Sequence, residues 1–263
     1  LHKEYRRQRQ MCIRDRWIVA FLLFLLLLAS IPLGWFIYNY QRAVIPEPNE
    51  IETAQISSIF FNDSETELAR IVPPEGNREQ IALEQVPEGV QNAVLAAEDR
   101  DFWTNSGFSP TGFARAAIGQ ITGNTGAGGG STITQQYVKN ALVGNEHSYE
   151  RKAKELVYSV KMTNQWDKTE ILQAYLNTVY FGRNAYGVEA AAHAYFGKPA
   201  SELTFEEGGV LAASIQLPSQ LDPWTNREAA EQRWNYVMDG MVEMGVLSPC
   251  LLYTSPSPRD RQK

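Results

Sequence analysis

The chain is poor in cysteine, in net positive charge and in any repeating unit. Only two cysteines occur in 263 residues, Cys12 and Cys250, and both stand in the terminal flanks. The body between them therefore has neither disulfides nor thiolate zinc sites. A formal net charge of -6 argues against a nucleic-acid partner. No stretch recurs at a fixed period, so a solenoid is not indicated. Charge is also missing from Trp17 to Tyr38, and that absence is the most informative. As a helix this run spans about 30 Å, the depth of a bilayer core. Trp17, Trp35, Tyr38 and Tyr40 mark its ends as an aromatic belt. It is longer than a signal-peptide core and lacks a small-residue cleavage pattern, so it reads as an uncleaved anchor. Lys3, Arg6, Arg7, Arg9, Arg14 and Arg16 precede it, whereas Glu47, Glu50 and Glu52 follow. That asymmetry keeps the N-terminus inside and the body outside.

Both ends look foreign. Met11 to Arg16 and Cys250 to Asp260 resemble translated sequencing-adapter sequence, so part of the positive-inside signal is expected to be artefact, and the native chain is expected to continue beyond Leu247. The expected divisions are a basic segment at 1–16, a transmembrane helix at 17–38, a linker at 39–50, a catalytic domain at 51–247 and a non-native tail at 248–263. The domain, roughly 200 residues, is large enough for a single core.

Within the body, Ile51 to Phe61 and Glu67 to Val72 are β-like runs around the turn signal Asn62-Asp63-Ser64, which predicts one small hairpin. After Pro73-Pro74 the pattern changes, and from Pro87 onward it is helical. Val90, Ala93, Val94 and Ala97 recur at helical spacing and predict a helix ending near Glu98. Pro110 starts the next, with Phe113, Ala117 and Ile121 on its apolar face. A helix is expected to begin at Ser131 after the glycines, and a long one to run from Ser148 to Trp166. Asp167 with Glu170, Thr204 with Glu207, and Thr225 with Glu228 resemble capping boxes for three later helices.

Two carboxylates, a glycine loop and a basic helix carry the chemistry. Glu98 sits in Ala96-Ala97-Glu98-Asp99-Arg100-Asp101-Phe102, and Glu155 in Arg151-Lys152-Ala153-Lys154-Glu155. Between them lies Gly123 to Gly130, then Ser131-Thr132-Ile133-Thr134-Gln135-Gln136 and Lys139. Singly, each has an ordinary explanation. A Glu-Asp pair at a helix end is a solvated edge, Arg151 and Glu155 are an ion pair on one helix face, and the glycines are a flexible loop. Together they supply a proton acceptor, a helix N-terminus for an anion and a set of cations. A sugar transfer that expels a phosphate leaving group needs all three. A carboxyl at a helix end among Leu95, Ala96, Ala97 and Phe102 suits a general base with a raised pKa. Glu155 either orients the cations or holds a divalent metal on a pyrophosphate, and its oxygen chemistry favours Mg²⁺ or Mn²⁺ over zinc.

This ordered set resembles the glycosyltransferase domain of class A penicillin-binding proteins, glycosyltransferase family 51. The first motif of that family, Glu-Asp-x-x-Phe-x-x-His-x-Gly, is met by Glu98, Asp99, Phe102 and Gly107, with Asn105 in place of the histidine. Gly-x-Ser-Thr-x-Thr-Gln-Gln is matched by Gly129 to Gln136, and Arg-Lys-x-x-Glu by Arg151, Lys152 and Glu155. Further matching stretches run from Lys168 through Tyr175-Leu176-Asn177, Phe181-Gly182, Gly187 and Tyr195-Phe196-Gly197-Lys198, and from Leu211 to Pro223. His147 stands where many relatives carry arginine. No Ser-x-x-Lys or Lys-Thr-Gly motif of a transpeptidase is present.

The resemblance implies a mainly α, lysozyme-like fold with a small β-hairpin behind one transmembrane helix. It implies a single-pass type II protein of the bacterial cell membrane, its catalytic domain extracytoplasmic. The implied reaction polymerises lipid II into β-1,4 glycan with inversion and release of undecaprenyl pyrophosphate. Glu98 and Glu155 would be catalytic. Asp99, Phe102, Ser131, Thr132, Gln135, Gln136, Lys139, Arg151 and Lys152 would bind substrate. The expected partners are lipid II, the growing glycan strand, the membrane and other cell-wall synthesis proteins. Phe108, Phe113, Ile118 and Ile121 would be either core or a surface dipping toward the lipid. Tyr175, Asn177, Tyr195 and Phe196 would either line a sugar groove or pack helices. The competing readings are a lysozyme-like hydrolase or lytic transglycosylase with Glu98 as general acid, and an inactive cell-wall scaffold.

Overall fold

The computed structural model describes residues 2–47, 57–60, 67–71, 77–112, 114, 118, 130–144 and 148–254. The chain divides into two compact units, Leu1–Val44 and Ile45–Lys263.

The first unit is one helix, α1 (His2–Arg42), interrupted in its hydrogen bonding only by Pro32. Its stretch Trp17–Arg42 has 26 residues and contains an 18-residue window of mean hydropathy 2.5, long and apolar enough to cross a membrane by length and composition. The helix outlasts the expected span. Residues 39–42, expected as linker, continue the turn, and the Arg42 guanidinium lies 4.9 Å from the centre of the Tyr38 ring one turn back.

The second unit is mainly α. It opens with the expected hairpin, β1 (Ser57–Phe60) antiparallel to β2 (Glu67–Ile71), with Ile59 opposite Ala69 and an irregularity at Phe60. The turn signal at Asn62 lies outside the described residues. A second sheet was not expected. β3 (Asn77–Arg78) pairs parallel to β5 (Ala185–Tyr186), which pairs antiparallel to β4 (Tyr180–Gly182). Arg183 and Asn184 both take positive φ, the requirement of a two-residue hairpin turn. Strands of two or three residues are too short to leave an alternation pattern. Arg183 then anchors this hairpin, with its Nε and Nη2 donating to Asp222 at 2.8 and 2.7 Å and its guanidinium 4.0 Å from the Tyr195 ring centre.

Helices follow: α2 (Glu88–Glu98), α3 (Ile133–Val138) running into a π turn at Lys139–Val143, α4 (Tyr149–Gln165), α5 (Lys168–Thr178), α6 (Val188–Phe196), α7 (Phe205–Ser214), α8 (Arg227–Glu243) and α9 (Pro249–Thr254), of which α6 and α9 were not expected. Residues 110–112 are helical from Pro110, as expected, whereas Phe113, Ala117 and Ile121 lie outside the described residues. Ser148 caps α4 by accepting from the Arg151 N–H at 3.0 Å. The predicted boxes at Asp167 and Thr204 form, with Asp167 N donating to Glu170 Oε2 at 2.9 Å and Thr204 N to Glu207 Oε2 at 2.8 Å. The third does not. Asn226, not Thr225, caps α8, through its Oδ1 and the Ala229 N–H at 3.3 Å. Asparagine competes successfully for the cap one residue on.

The core gathers around α2. Val90, Val94 and Leu95 are wholly buried against α7 and α8, which contribute Leu211, Val237 and Met238. A Cβ added at Gly208 would lie 2.8 Å from Val90 Cα, so only glycine lets α7 approach this closely. Tyr137, Ile171, Leu172 and Tyr175 complete the interior. This packing fixes the C-terminus of α2, and so Glu98, inside the molecule.

Candidate active site

Glu98 ends α2, and its side chain is only 7% exposed. Oε2 accepts from Gln136 Nε2 at 2.7 Å, and Gln136 Oε1 accepts in turn from the Tyr175 hydroxyl at 3.0 Å. The tyrosine thus fixes which end of the amide faces the carboxylate. Oε1 has no hydrogen-bond partner among the described residues, and Arg233 Nη2 stands 3.7 Å away. Burial pushes the Glu98 carboxyl above its ordinary value, while the Gln136 hydrogen bond and the Arg233 charge pull it back. A buried carboxylate with one bare oxygen and a raised proton affinity has the properties of a general base.

Asp99 is used differently. It accepts from Asn105 Nδ2 at 2.9 Å and from the Ile133 N–H at 3.1 Å. Asn105 Oδ1 accepts from Gly107 N and Lys168 Nζ, both at 3.0 Å. Lys168 also lies 4.5 Å from the centre of the Phe102 ring. Gly107 has φ +84, and a Cβ there would meet Ser159 O at 2.4 Å, so its glycine is obligatory. Its carbonyl accepts from Thr132 Oγ1 at 2.9 Å. The first motif is thereby bolted to the start of α3 and to α4 and α5.

At the expected anion site, the N-terminus of α3, the Thr132, Ile133 and Gln135 N–H groups are engaged within the protein. The helix begins at Ile133, with Thr132 rather than Ser131 as its cap. The Thr132 N–H donates to Gln135 Oε1 at 3.0 Å, the Gln135 N–H to Thr132 Oγ1 at 3.2 Å and the Ile133 N–H to Asp99. Donors spent within the protein are not offered to a ligand.

Cations gather instead at α4. Lys152 Nζ donates to Glu155 Oε2 and to Ser131 Oγ, both at 2.8 Å, and Arg151 pairs with Glu155 Oε1. Glu155 is 1% exposed, whereas Lys152 is half exposed. Desolvation and the nearby charges of Arg151 and Lys139 lower the Lys152 pKa. One carboxylate therefore faces two cations, with Lys139 acting on Lys152 beside them, and the excess positive charge suits an anion. A cavity of about 310 Å³ opens beside Arg151, lined also by Leu142, Val143, Lys154 and Tyr158. A larger one of about 360 Å³, lined by Val210, Ala213, Trp224 and Trp234, holds none of the motif carboxylates or cations.

The sequence profile of the Transglycosylase family matches residues 64–242, a span that contains all of these groups. The chain belongs to the transglycosylase family. It is 52% identical over 249 residues to penicillin-binding protein 1A of Mycolicibacterium smegmatis, covering 91% of this chain and 31% of that protein. Against penicillin-binding protein 1A of Mycobacterium tuberculosis the identity is 54% over 223 residues, covering 83% and 27%. The Aquifex aeolicus protein of the same name is 43% identical over 169 residues, covering 64% and 23%. The chain thus spans about a third or less of the length of these relatives.

In this transglycosylase domain the expected site residues fall into three groups. Glu98 meets Gln136, and Glu155 meets Arg151 and Lys152, with Ser131 accepting from Lys152 and Lys139 close enough to act on Lys152. Asp99, Phe102, Thr132 and Gln135, expected to touch substrate, are buried and engaged in the framework. Gly123 to Gly129 and His147 lie outside the described residues. Asn177 packs rather than binds, holding Ile81 through both backbone groups. Glu155 does not fit a resident Mg²⁺ or Mn²⁺. Its two oxygens face Arg151 and Lys152, and among the described residues no group of three metal-ligating side chains forms. Sequence reasoning overlooked Arg233 and the Tyr175 hydroxyl. A signal for the first existed, since Arg233 interrupts the apolar stripe Ala230, Trp234, Val237 and Met241 of α8.

Proposed function

We propose that this chain is a membrane-anchored peptidoglycan glycosyltransferase that polymerises lipid II into β-1,4 glycan strands. The observation that carries the reading is the buried Glu98 carboxylate, one oxygen held by Gln136 and the other bare among the described residues. In the proposed step the 4-hydroxyl of an acceptor N-acetylglucosamine gives its proton to Glu98 while its oxygen attacks the donor's anomeric carbon with inversion. The bond from that carbon to the pyrophosphate breaks, and its electron pair leaves with undecaprenyl pyrophosphate. Lys139, Arg151 and Lys152 receive the added negative charge. Glu155 keeps two of these cations in place, and no metal is assigned to it.

α1 is proposed as a single-pass anchor in the bacterial cell membrane, basic end cytoplasmic and body extracytoplasmic, so that enzyme and lipid-borne substrate share one surface. Ile118 and Trp103, 61% and 48% exposed, offer apolar side chains for such a surface. A hydrolase reading employs the same Glu98 as an acid but leaves the cations without a use. Incubating the detergent-solubilised full chain with purified lipid II and sizing the glycan separates the readings. Long strands are expected. Shortening of preformed glycan without synthesis would make the protein a hydrolase, and the absence of both reactions a scaffold.

A further inference from the structure

Glu98 sits at an unfavourable place for a carboxylate. It is buried, and it stands at the C-terminus of α2, where the helix dipole is negative and the last carbonyls lack helical donors. Two arginines answer both problems. Arg233 Nη2 donates to Ala97 O at 3.2 Å and lies 3.7 Å from Glu98 Oε1, while Arg100 Nε donates to Ala96 O at 3.1 Å. Both guanidinium groups stack on one ring, that of Tyr236, at 4.4 and 4.9 Å from its centre. Arg100 is also paired with Glu243, and a Cβ at Gly240 would lie 2.7 Å from Arg100 Nη2. Residues 233, 236, 240 and 243 follow the three- and four-residue spacing of one helix face. That face of α8 is therefore fitted to the end of α2.

We propose that Arg233, clamped between Ala97 O and the Tyr236 ring, is a positioning residue for the reaction, supplying the fixed positive charge that keeps the bare oxygen of Glu98 a proton acceptor. The inference rests on Glu98 being the base. The other groups facing Glu98 do not supply this charge. Gln136 of α3 is neutral, Tyr175 of α5 is a protonated phenol whose pKa is raised, and Lys168 of α5 is engaged with Asn105 beside Asp99, the next residue in the chain. Among the described residues Arg233 is the cation that acts on Glu98.

Removing a cation next to a carboxylate raises its pKa, so the base becomes protonated at a higher pH and the acid limb of the rate profile moves up. Initial rates of the full chain on lipid II, measured against pH, test this. Arg233→Gln is expected to move the acid limb upward by about one unit, with the alkaline plateau largely kept. Arg233→Lys should restore the limb toward its original position, and Arg227→Gln, on the exposed start of the same helix, should leave it unmoved. A uniform loss across pH with the limb unmoved would overturn the proposal and make Arg233 a packing residue. Should Arg233→Gln not fold, Tyr236→Leu loosens the clamp with the charge retained, and a smaller upward shift is expected; an unmoved limb there overturns the proposal too. Activity surviving in Glu98→Gln sinks the base assignment itself, whereas a dead Glu98→Gln beside an unmoved Arg233→Gln limb sinks only this inference.

Discussion

Glu98 and Glu155 are both buried, yet their surroundings give them opposite chemistry. Among the described residues Glu98 has a neutral amide on one oxygen, a bare second oxygen, and its one cation at 3.7 Å, beyond hydrogen-bond length. Glu155 has a cation on each oxygen. A carboxylate so paired has both oxygens taken up by cations, whereas burial raises the proton affinity of Glu98. Burial alone therefore does not make a base; the partners decide. On the proposed reading Glu98 exchanges a proton, and Glu155 holds cations still for an anion.

The contrast breaks most sharply by amide substitution. Glu98→Gln is expected to lower polymerisation by roughly 10² to 10⁴ while thermal unfolding stays near the parent's. Substantial polymer from that folded variant would remove the distinction between the two carboxylates. Glu155→Gln should do the reverse in kind, losing stability together with activity. It leaves Arg151 and Lys152 facing a neutral group, and breaking a buried pair in this way costs about 3–5 kcal/mol. A Glu155→Gln protein as stable as the parent would mean that the pair organises nothing.

Lys152→Ala probes the cation side with a smaller effect. It deletes the contacts to Ser131 and Glu155 and one charge-assisted contact to a phosphate, a loss of about 1.5–3 kcal/mol. Binding of a phosphoglycolipid inhibitor of the moenomycin type should weaken accordingly, with Arg227→Ala as the control. Equal losses in the two variants would show that the charge of α4 is structural and not a phosphate site.

Much of this was legible in the sequence because it is local. The 3.6-residue spacing of Val90, Ala93, Val94 and Ala97 located the end of α2, and Asp167 with Glu170 located the start of α5. The motif order singled out both carboxylates and the three cations as candidates. What the sequence concealed depends on contacts between distant elements. Thr132 and Gln135 read as substrate-binding polar residues, yet a capping box and the distant Gly107 carbonyl engage them. Asn105, a departure from the family pattern, proves to be the joint between Asp99, Gly107 and Lys168. Arg233 is separated from Glu98 by most of the domain in sequence, so no local pattern could bring them together.

The last prediction concerns Asp99, which lies between the two extremes. Burial pushes its carboxyl up to about 6 from an ordinary 3.8, even though the Ile133 N–H, Asn105 and Lys168 all favour its ionised form. The folded state therefore binds the proton more tightly than the unfolded chain. Its contribution is fully present below about pH 4 and is lost as pH rises through 6, by at most about 3 kcal/mol. An asparagine at this position does not titrate, so Asp99→Asn should be most damaging near pH 4 and progressively less so toward pH 7. Comparing unfolding midpoints of the two detergent-solubilised proteins across that range cancels the other carboxylates and isolates this one. A stability difference that is flat with pH, or that widens as pH rises, would mean that the hydrogen bonds outweigh burial at Asp99. The network would then be holding a permanent anion.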